Sequence, residues 1–130
     1  MKLLLVDSSA WIQTFSKQSD PKLTHQILGA KKNKRLATCG MVYLEVCRGG
    51  RTKKEFQEIQ EEFLAMHWLI IENLHWQLAC EMGFQLMQKG FHPPATDLLI
   101  AATAIQYDCQ LLHQDKHFLQ IARYFPLRLV

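Results

Sequence analysis

The chain has no CxxC pair, no apolar run long enough for a membrane span, no internal repeat, no low-complexity linker and no strong excess of either charge. Each absence narrows the function. The four cysteines, Cys39, Cys47, Cys80 and Cys109, are scattered and lie in or beside apolar segments, where a free thiol packs as a small hydrophobe. This pattern predicts a reducing, cytoplasmic compartment and excludes a disulfide scaffold. The opening MKLLLVD carries one lysine and an apolar run that stops at Asp7, too short for a signal-peptide core or a membrane helix. No membrane partner is expected. Fifteen Lys and Arg against twelve Asp and Glu give +3, too mild a balance to imply a nucleic-acid partner by itself.

What is present is 130 residues at 48% hydrophobic, enough for one globular domain over 1–130 with a core that needs no staples. Leu3 to Val6 reads as a strand buried on both faces. A helix follows through Trp11, Ile12 and Phe15. Asp20-Pro21 has the form of an N-cap and first helical position, leading through Leu23, Ile27 and Leu28 to the basic run Lys31, Lys32, Lys34 and Arg35. Further strands are expected at Leu36–Cys39, Trp68–Ile71, Cys109–Leu112 and Leu127–Val130. Helices are expected at Met41–Arg48, from Thr52 through Phe56, Ile59, Phe63 and Leu64, at Leu74–Lys89, at Ala95–Tyr107 and at Asp115–Tyr124. Strands alternating with helices predict an α/β fold whose parallel sheet is covered on both faces, with its ligand crevice at the carboxyl ends of the strands.

Four acids stand out against that frame. Asp7 ends the first strand, and Asp115 follows the strand containing Leu111 and Leu112. Asp97 opens an otherwise apolar helix, and Glu45 interrupts another. Taken singly, each has an ordinary explanation: Asp7 and Asp115 as helix caps, Asp97 as a first-turn acid favoured by the helix dipole, and Glu45 on an exposed helix face. Taken together, four carboxylates would repel one another and raise their own pKa values unless a cation sat among them. Hard oxygen ligands select Mg²⁺ or Mn²⁺ over zinc, and such an ion suits phosphodiester hydrolysis. Committing four carboxylates to a metal would also leave the remaining surface more basic, which suits a polyanion.

The segments Leu4-Leu5-Val6-Asp7-Ser8-Ser9-Ala10-Trp11-Ile12, Tyr43-Leu44-Glu45-Val46-Cys47-Arg48-Gly49, Thr96-Asp97-Leu98-Leu99-Ile100-Ala101-Ala102-Thr103-Ala104 and Leu111-Leu112-His113-Gln114-Asp115-Lys116-His117-Phe118, in that order, give the chain its likeness to a known family. It resembles PIN-domain nucleases, and among them the VapC toxins of bacterial toxin–antitoxin pairs. The resemblance implies a three-layer αβα sandwich with a central, mainly parallel sheet. Asp7, Glu45, Asp97 and Asp115 would bind Mg²⁺ or Mn²⁺ for hydrolysis of RNA, with Ser9 supporting the site by hydrogen bonding. It also implies a homodimer and a cognate VapB-like antitoxin.

Two positions depart from the family pattern. His113 stands where Thr or Ser is usual two places before the fourth acid, and His117 where a further acid often follows it. The lost charge favours one metal ion over two. A mixed imidazole and carboxylate cluster of His113, Asp115 and His117 would suit Mn²⁺ or Zn²⁺, whereas a supporting or RNA-facing imidazole is the other reading. The departures also motivate an alternative function, a non-catalytic RNA-binding or interaction module with an impaired site. A DNA-acting nuclease is a third reading, because the acids address a phosphodiester and not the sugar.

Arg48, Arg51, Lys53 and Lys54 follow Glu45 closely enough to lie near the crevice and are candidate RNA contacts. The run from Lys31 to Arg35 reads equally as a phosphate track or as a solvated helix end. Trp11, Trp68 and Trp76 stand among apolar neighbours and read as core. His25, His67, His75 and His92 form no ligand spacing. Ser8 and Ser9 have no identifiable base or oxyanion loop beside them, which argues against covalent serine chemistry.

Overall fold

The computed structural model describes residues 1–130. The chain begins with β1 (Leu4–Val6), in which all three side chains are buried, as the unbroken apolar run requires. Asp7 then caps α1 (Ser8–Thr14), its side chain accepting from Ser9 N. Asp20 caps α2 (Pro21–Lys32) by accepting from Lys22 N, with Pro21 in the first turn, where its missing N–H costs nothing. The chain continues through β2 (Leu36–Thr38), α3 (Gly40–Cys47), α4 (Lys53–Leu64), β3 (His67–Trp68), α5 (Asn73–Gln88), α6 (Ala95–Gln106), β4 (Gln110–Leu112), α7 (Lys116–Tyr124) and β5 (Arg128–Leu129).

The five strands form one sheet in the order β3-β2-β1-β4-β5, and every pairing is parallel. Leu4 pairs with Leu36 on one side of β1 and with Gln110 on the other, while Val6 pairs with Leu112. Helix α1 packs on α2 and α3, and α3 on α4; α5 lies along α6, α6 packs on α7, and α7 reaches β5. The expected three-layer arrangement with a parallel sheet is borne out. Leu5, Val6, Leu111, Leu112, Ile100, Phe118, Met82 and Leu86 form much of the core, all at or near zero exposure.

Strand order reverses beside β1: from it the chain proceeds to β2 on one side and, much later, β4 on the other. Adjacent connections diverge there, which opens a crevice at the carboxyl ends of β1 and β4. Asp7 follows the first of these strands directly, and Asp115 follows the second after two residues.

Several expectations are corrected. The third strand is His67–Trp68 and not Trp68–Ile71. Its partner β2 ends at Thr38, so after Leu69 N donates to Thr38 O at 2.8 Å no ladder remains, and Ile70 lies exposed with its carbonyl accepting from Tyr107 Oη. The last strand is likewise shorter than Leu127–Val130. Trp11 is buried and Trp68 half-buried, with Trp68 Nε1 donating to Phe63 O, but Trp76 is 54% exposed on α5 and is not core. The basic run Lys31 to Arg35 sits at the amino end of β2, the opposite pole from the acids. Arg35 Nε donates to Lys2 O and its Nη2 to Gln110 Oε1, while Lys31 pairs with Glu62, so this run ties strand starts together.

Candidate metal centre

Asp7 is both a helix cap and something more. Its Oδ2 accepts from Ser9 N at 3.0 Å and from Ser9 Oγ at 2.6 Å, which satisfies the capping role. Its Oδ1 is buried without any partner, in a side chain only 2% exposed. Leaving a charged oxygen in that state is costly. A cation beside it would remove the cost.

Asp97, in the first turn of α6, faces the same space. Its carboxyl is pushed up to about 7, first by burial and then by the charges of Asp115 and Asp7, against a weaker opposing pull from His117. Asp115 caps α7, accepting from His117 N at 3.0 Å. Two adjacent strand ends and the start of α6 therefore converge carboxylates that oppose one another's ionisation. The donor atoms of Asp97, Asp115 and His117 lie within 4.8 Å of one another.

Glu45 approaches from α3. Its Oε1 accepts from Ser8 Oγ at 3.2 Å. Burial first, and then Asp7, raise its carboxyl, while the Ser8 hydrogen bond and Arg48 lower it. Glu45 thus adjoins Asp7, and both lie outside the tight Asp97, Asp115 and His117 group. Cys39, which precedes α3, is buried nearby, and desolvation pushes its thiol up, so it remains a neutral packing group.

The two histidines divide. His117 Nδ1 lies between Asp97 Oδ2 and Asp115 Oδ1. His113 turns back on its own loop, its Nδ1 accepting from Asp115 N at 3.1 Å while the ring packs on Phe118. A cluster joining both histidines to Asp115 is therefore not formed. Ser9 Oγ accepts from Gln114 N at 3.0 Å and so joins the β1–α1 turn to the β4–α7 turn. Ser8, weighed from sequence only as a nucleophile, enters instead as a hydrogen-bond donor to Glu45, and the Gln114 backbone has no mark in the sequence. The available signal for Ser8 was its place in an Asp-Ser-Ser turn, where one serine supports the cap and the other is free to reach across.

Of the basic candidates, Arg48 acts on Glu45 electrostatically, while Arg51, Lys53 and Lys54 are exposed around the start of α4 and form no side-chain hydrogen bond or ion pair. A cleft of about 400 Å³ also opens at the opposite pole from the acids, lined by Lys31, Lys34, Leu36, Glu62, Ala65, Met66 and His67, at the amino ends of β2 and β3.

The residues fit a divalent ion: an orphaned buried carboxylate oxygen, an acid whose ionisation is opposed by its neighbours, and an oxygen-rich donor set. Such ions bind through carboxylates and water, and an added positive charge would reverse the repulsion that raises Asp97.

The chain is 28% identical over 105 residues to Ribonuclease VapC21 of Mycobacterium tuberculosis, covering 78% of this chain and 76% of that protein. Its fold is similar to that in the crystal structure of VapBC2 from Rickettsia felis bound to a promoter DNA fragment, with a TM-score of 0.79 at 20% identity, covering 98% and 97% of the two chains. It is also similar to Mycobacterium tuberculosis VapC20, a sarcin–ricin-loop-cleaving toxin, with a TM-score of 0.68 at 15% identity over 94% and 95% of the chains. The PIN domain family model matches residues 4–124, and the chain belongs to the PIN-domain family.

Proposed function

We propose that this chain is a divalent-metal-dependent endoribonuclease and the toxin of a VapBC-type toxin–antitoxin pair. The observation that carries the metal dependence is Asp7 Oδ1, buried and unpartnered beside an Asp97 carboxyl that burial first, and then the charges of Asp115 and Asp7, push up to about 7. The ribonuclease relative supports RNA as the substrate, and the toxin–antitoxin complexes among the similar structures support an antitoxin partner.

Asp7, Asp97 and Asp115 would hold Mg²⁺ or Mn²⁺, one ion, with Glu45 at the edge of the set. When bound, such an ion supplies Lewis-acid stabilisation of charge developing on a phosphodiester. The chain's own groups do the rest. Ser9 fixes Asp7 through its hydroxyl, and Asp115 sets the start of α7. Glu45 keeps Oε1 on Ser8, which leaves Oε2 to receive a proton from water attacking phosphorus, and its raised carboxyl suits that exchange. Arg48, Arg51, Lys53 and Lys54 line the approach from α3 to α4 and would contact RNA phosphates.

The homodimer is supported by an apolar stripe on α5. Trp76, Cys80, Phe84 and Met87 are exposed at helical spacing, beside the buried face of His75, Ala79, Met82 and Leu86. The three buried free cysteines support a reducing, cytoplasmic setting, and no helix is long and apolar enough to cross a membrane. Residues 1–130 would act as a single PIN-like domain.

The test is cleavage of structured RNA, with matched DNA in parallel, by metal-stripped protein resupplied with Mg²⁺ or Mn²⁺. Asp7→Asn and Asp97→Asn should fold and fail to cleave. Full cleavage by both variants would overturn the assigned site, and cleavage of DNA alone would overturn the substrate.

A further inference from the structure

The imidazole of His117 stands inside the acid group. Its Nδ1 is 3.1 Å from Asp97 Oδ2 and 2.8 Å from Asp115 Oδ1. Neighbouring donors around a six-coordinate ion with bonds near 2.1 Å sit about 3.0 Å apart, because the separation is √2 times the bond length. The two observed gaps bracket that value. A single hydrogen on Nδ1 is shared poorly between two carboxylates, whereas a cation seated among the three donors, which lie within 4.8 Å of one another, engages both at once. Asp7, whose Oδ1 is buried and unpartnered, adjoins this group without belonging to it. His113 does not compete for the place, because its Nδ1 is engaged by Asp115 N and its ring by Phe118.

Building on the metal-dependent reading above, we propose that His117 Nδ1 is a direct ligand of the ion, beside Asp97 and Asp115, and that this nitrogen turns the site's preference from Mg²⁺ toward Mn²⁺ and the later first-row ions. Mg²⁺ favours an all-oxygen octahedron and keeps its waters, whereas imidazole is a better donor to transition ions. Ligation requires the neutral tautomer with the lone pair on Nδ1 and the proton on Nε2. The side chain is 28% exposed, so solvent reaches part of the ring.

The test uses the full chain, stripped of metal and titrated separately with Mn²⁺ and Mg²⁺ by calorimetry, with electron spin echo envelope modulation of the Mn²⁺-loaded protein. Wild type should show the nitrogen modulation of a coordinated imidazole and bind Mn²⁺ roughly 10-fold or more tightly than Mg²⁺. His113→Gln should retain both properties. His117→Asp, checked for folding by circular dichroism, should lose the modulation and bring the two affinities together. Absence of nitrogen modulation in wild type overturns the proposal whether or not the variant folds, as does an unchanged Mn²⁺ to Mg²⁺ ratio in a folded His117→Asp. RNA cleavage is read separately. Nitrogen ligation without cleavage removes the ribonuclease reading and keeps the ligand, whereas cleavage without nitrogen ligation keeps the ribonuclease reading and removes the ligand.

Discussion

The hydroxyl of Ser9 donates to Asp7 Oδ2 at 2.6 Å and accepts the backbone N–H of Gln114 at 3.0 Å, so one side chain clamps the ends of β1 and β4 together. Metal sites depend on such outer contacts to orient their ligands. Ser9→Ala should lower kcat roughly 10-fold with little change in KM, and destabilise the fold by about 1 kcal/mol. Steady-state kinetics with chemical denaturation checks both, and an unchanged kcat would remove the orienting role.

Asp97 makes the metal-free protein sensitive to pH. Its carboxyl is raised from an ordinary value of 3.8 to about 7, so between those values the folded state binds more protons than the unfolded state. Stability present below about pH 4 is therefore lost as pH rises through 7, by on the order of 4 kcal/mol. Glu45, also raised, contributes in the same direction. Denaturation in the presence of chelator should show this slope in wild type and a much flatter one in Asp97→Asn. Excess Mn²⁺ should restore wild-type stability at pH 8.

Asp7 and Glu45 should separate in their effects. Asp7→Asn replaces a carboxylate whose second oxygen is unpartnered and buried, and should lower both Mn²⁺ affinity and cleavage, the latter by about 10³-fold. Glu45→Gln, outside the tight donor group, should lower cleavage while changing Mn²⁺ affinity much less. Calorimetry beside single-turnover kinetics distinguishes them, and equal loss of affinity in the two variants would place Glu45 among the ligands.

Arg48 and Arg51 should act on substrate affinity. Arg48→Gln and Arg51→Gln are each expected to raise KM for RNA several-fold and to make the dependence of log affinity on log salt shallower by about 0.7 per lost phosphate contact. Binding measured over a salt series reads the slope directly. An unaltered slope would remove that residue from the RNA path.

The α5 stripe predicts that Trp76→Glu combined with Phe84→Glu dissociates a dimer without unfolding the protomer, because Trp76 and Phe84 are 54% and 66% exposed. Sedimentation over a concentration range should show a wild-type dimer and a monomeric variant. A monomeric wild type would leave the stripe to another partner.

Much of this molecule was legible in local chemistry. The unbroken run Leu3 to Val6, the Asp20-Pro21 helix start and the placement of Asp7 and Asp115 after strands follow from residue type and spacing, because caps and apolar periodicity act over a few residues. The order of strands and helices was legible for the same reason. Other features depended on distant parts of the chain. Ile70 and Ile71 looked like strand residues, but the partner strand had already ended at Thr38. Trp76 looked like core, yet it is 54% exposed and flanks the α5 face formed by His75, Ala79, Met82 and Leu86 without joining it. The bland and functional readings of Asp7 were inseparable in sequence; only the tertiary structure shows that capping occupies one oxygen and leaves the other buried and free. His113 and His117 were equivalent by spacing, two residues either side of Asp115. The turn from β4 into α7 directs one ring onto Phe118 and brings the other between Asp97 and Asp115, because contact across 20 residues of chain is a property of packing and not of spacing.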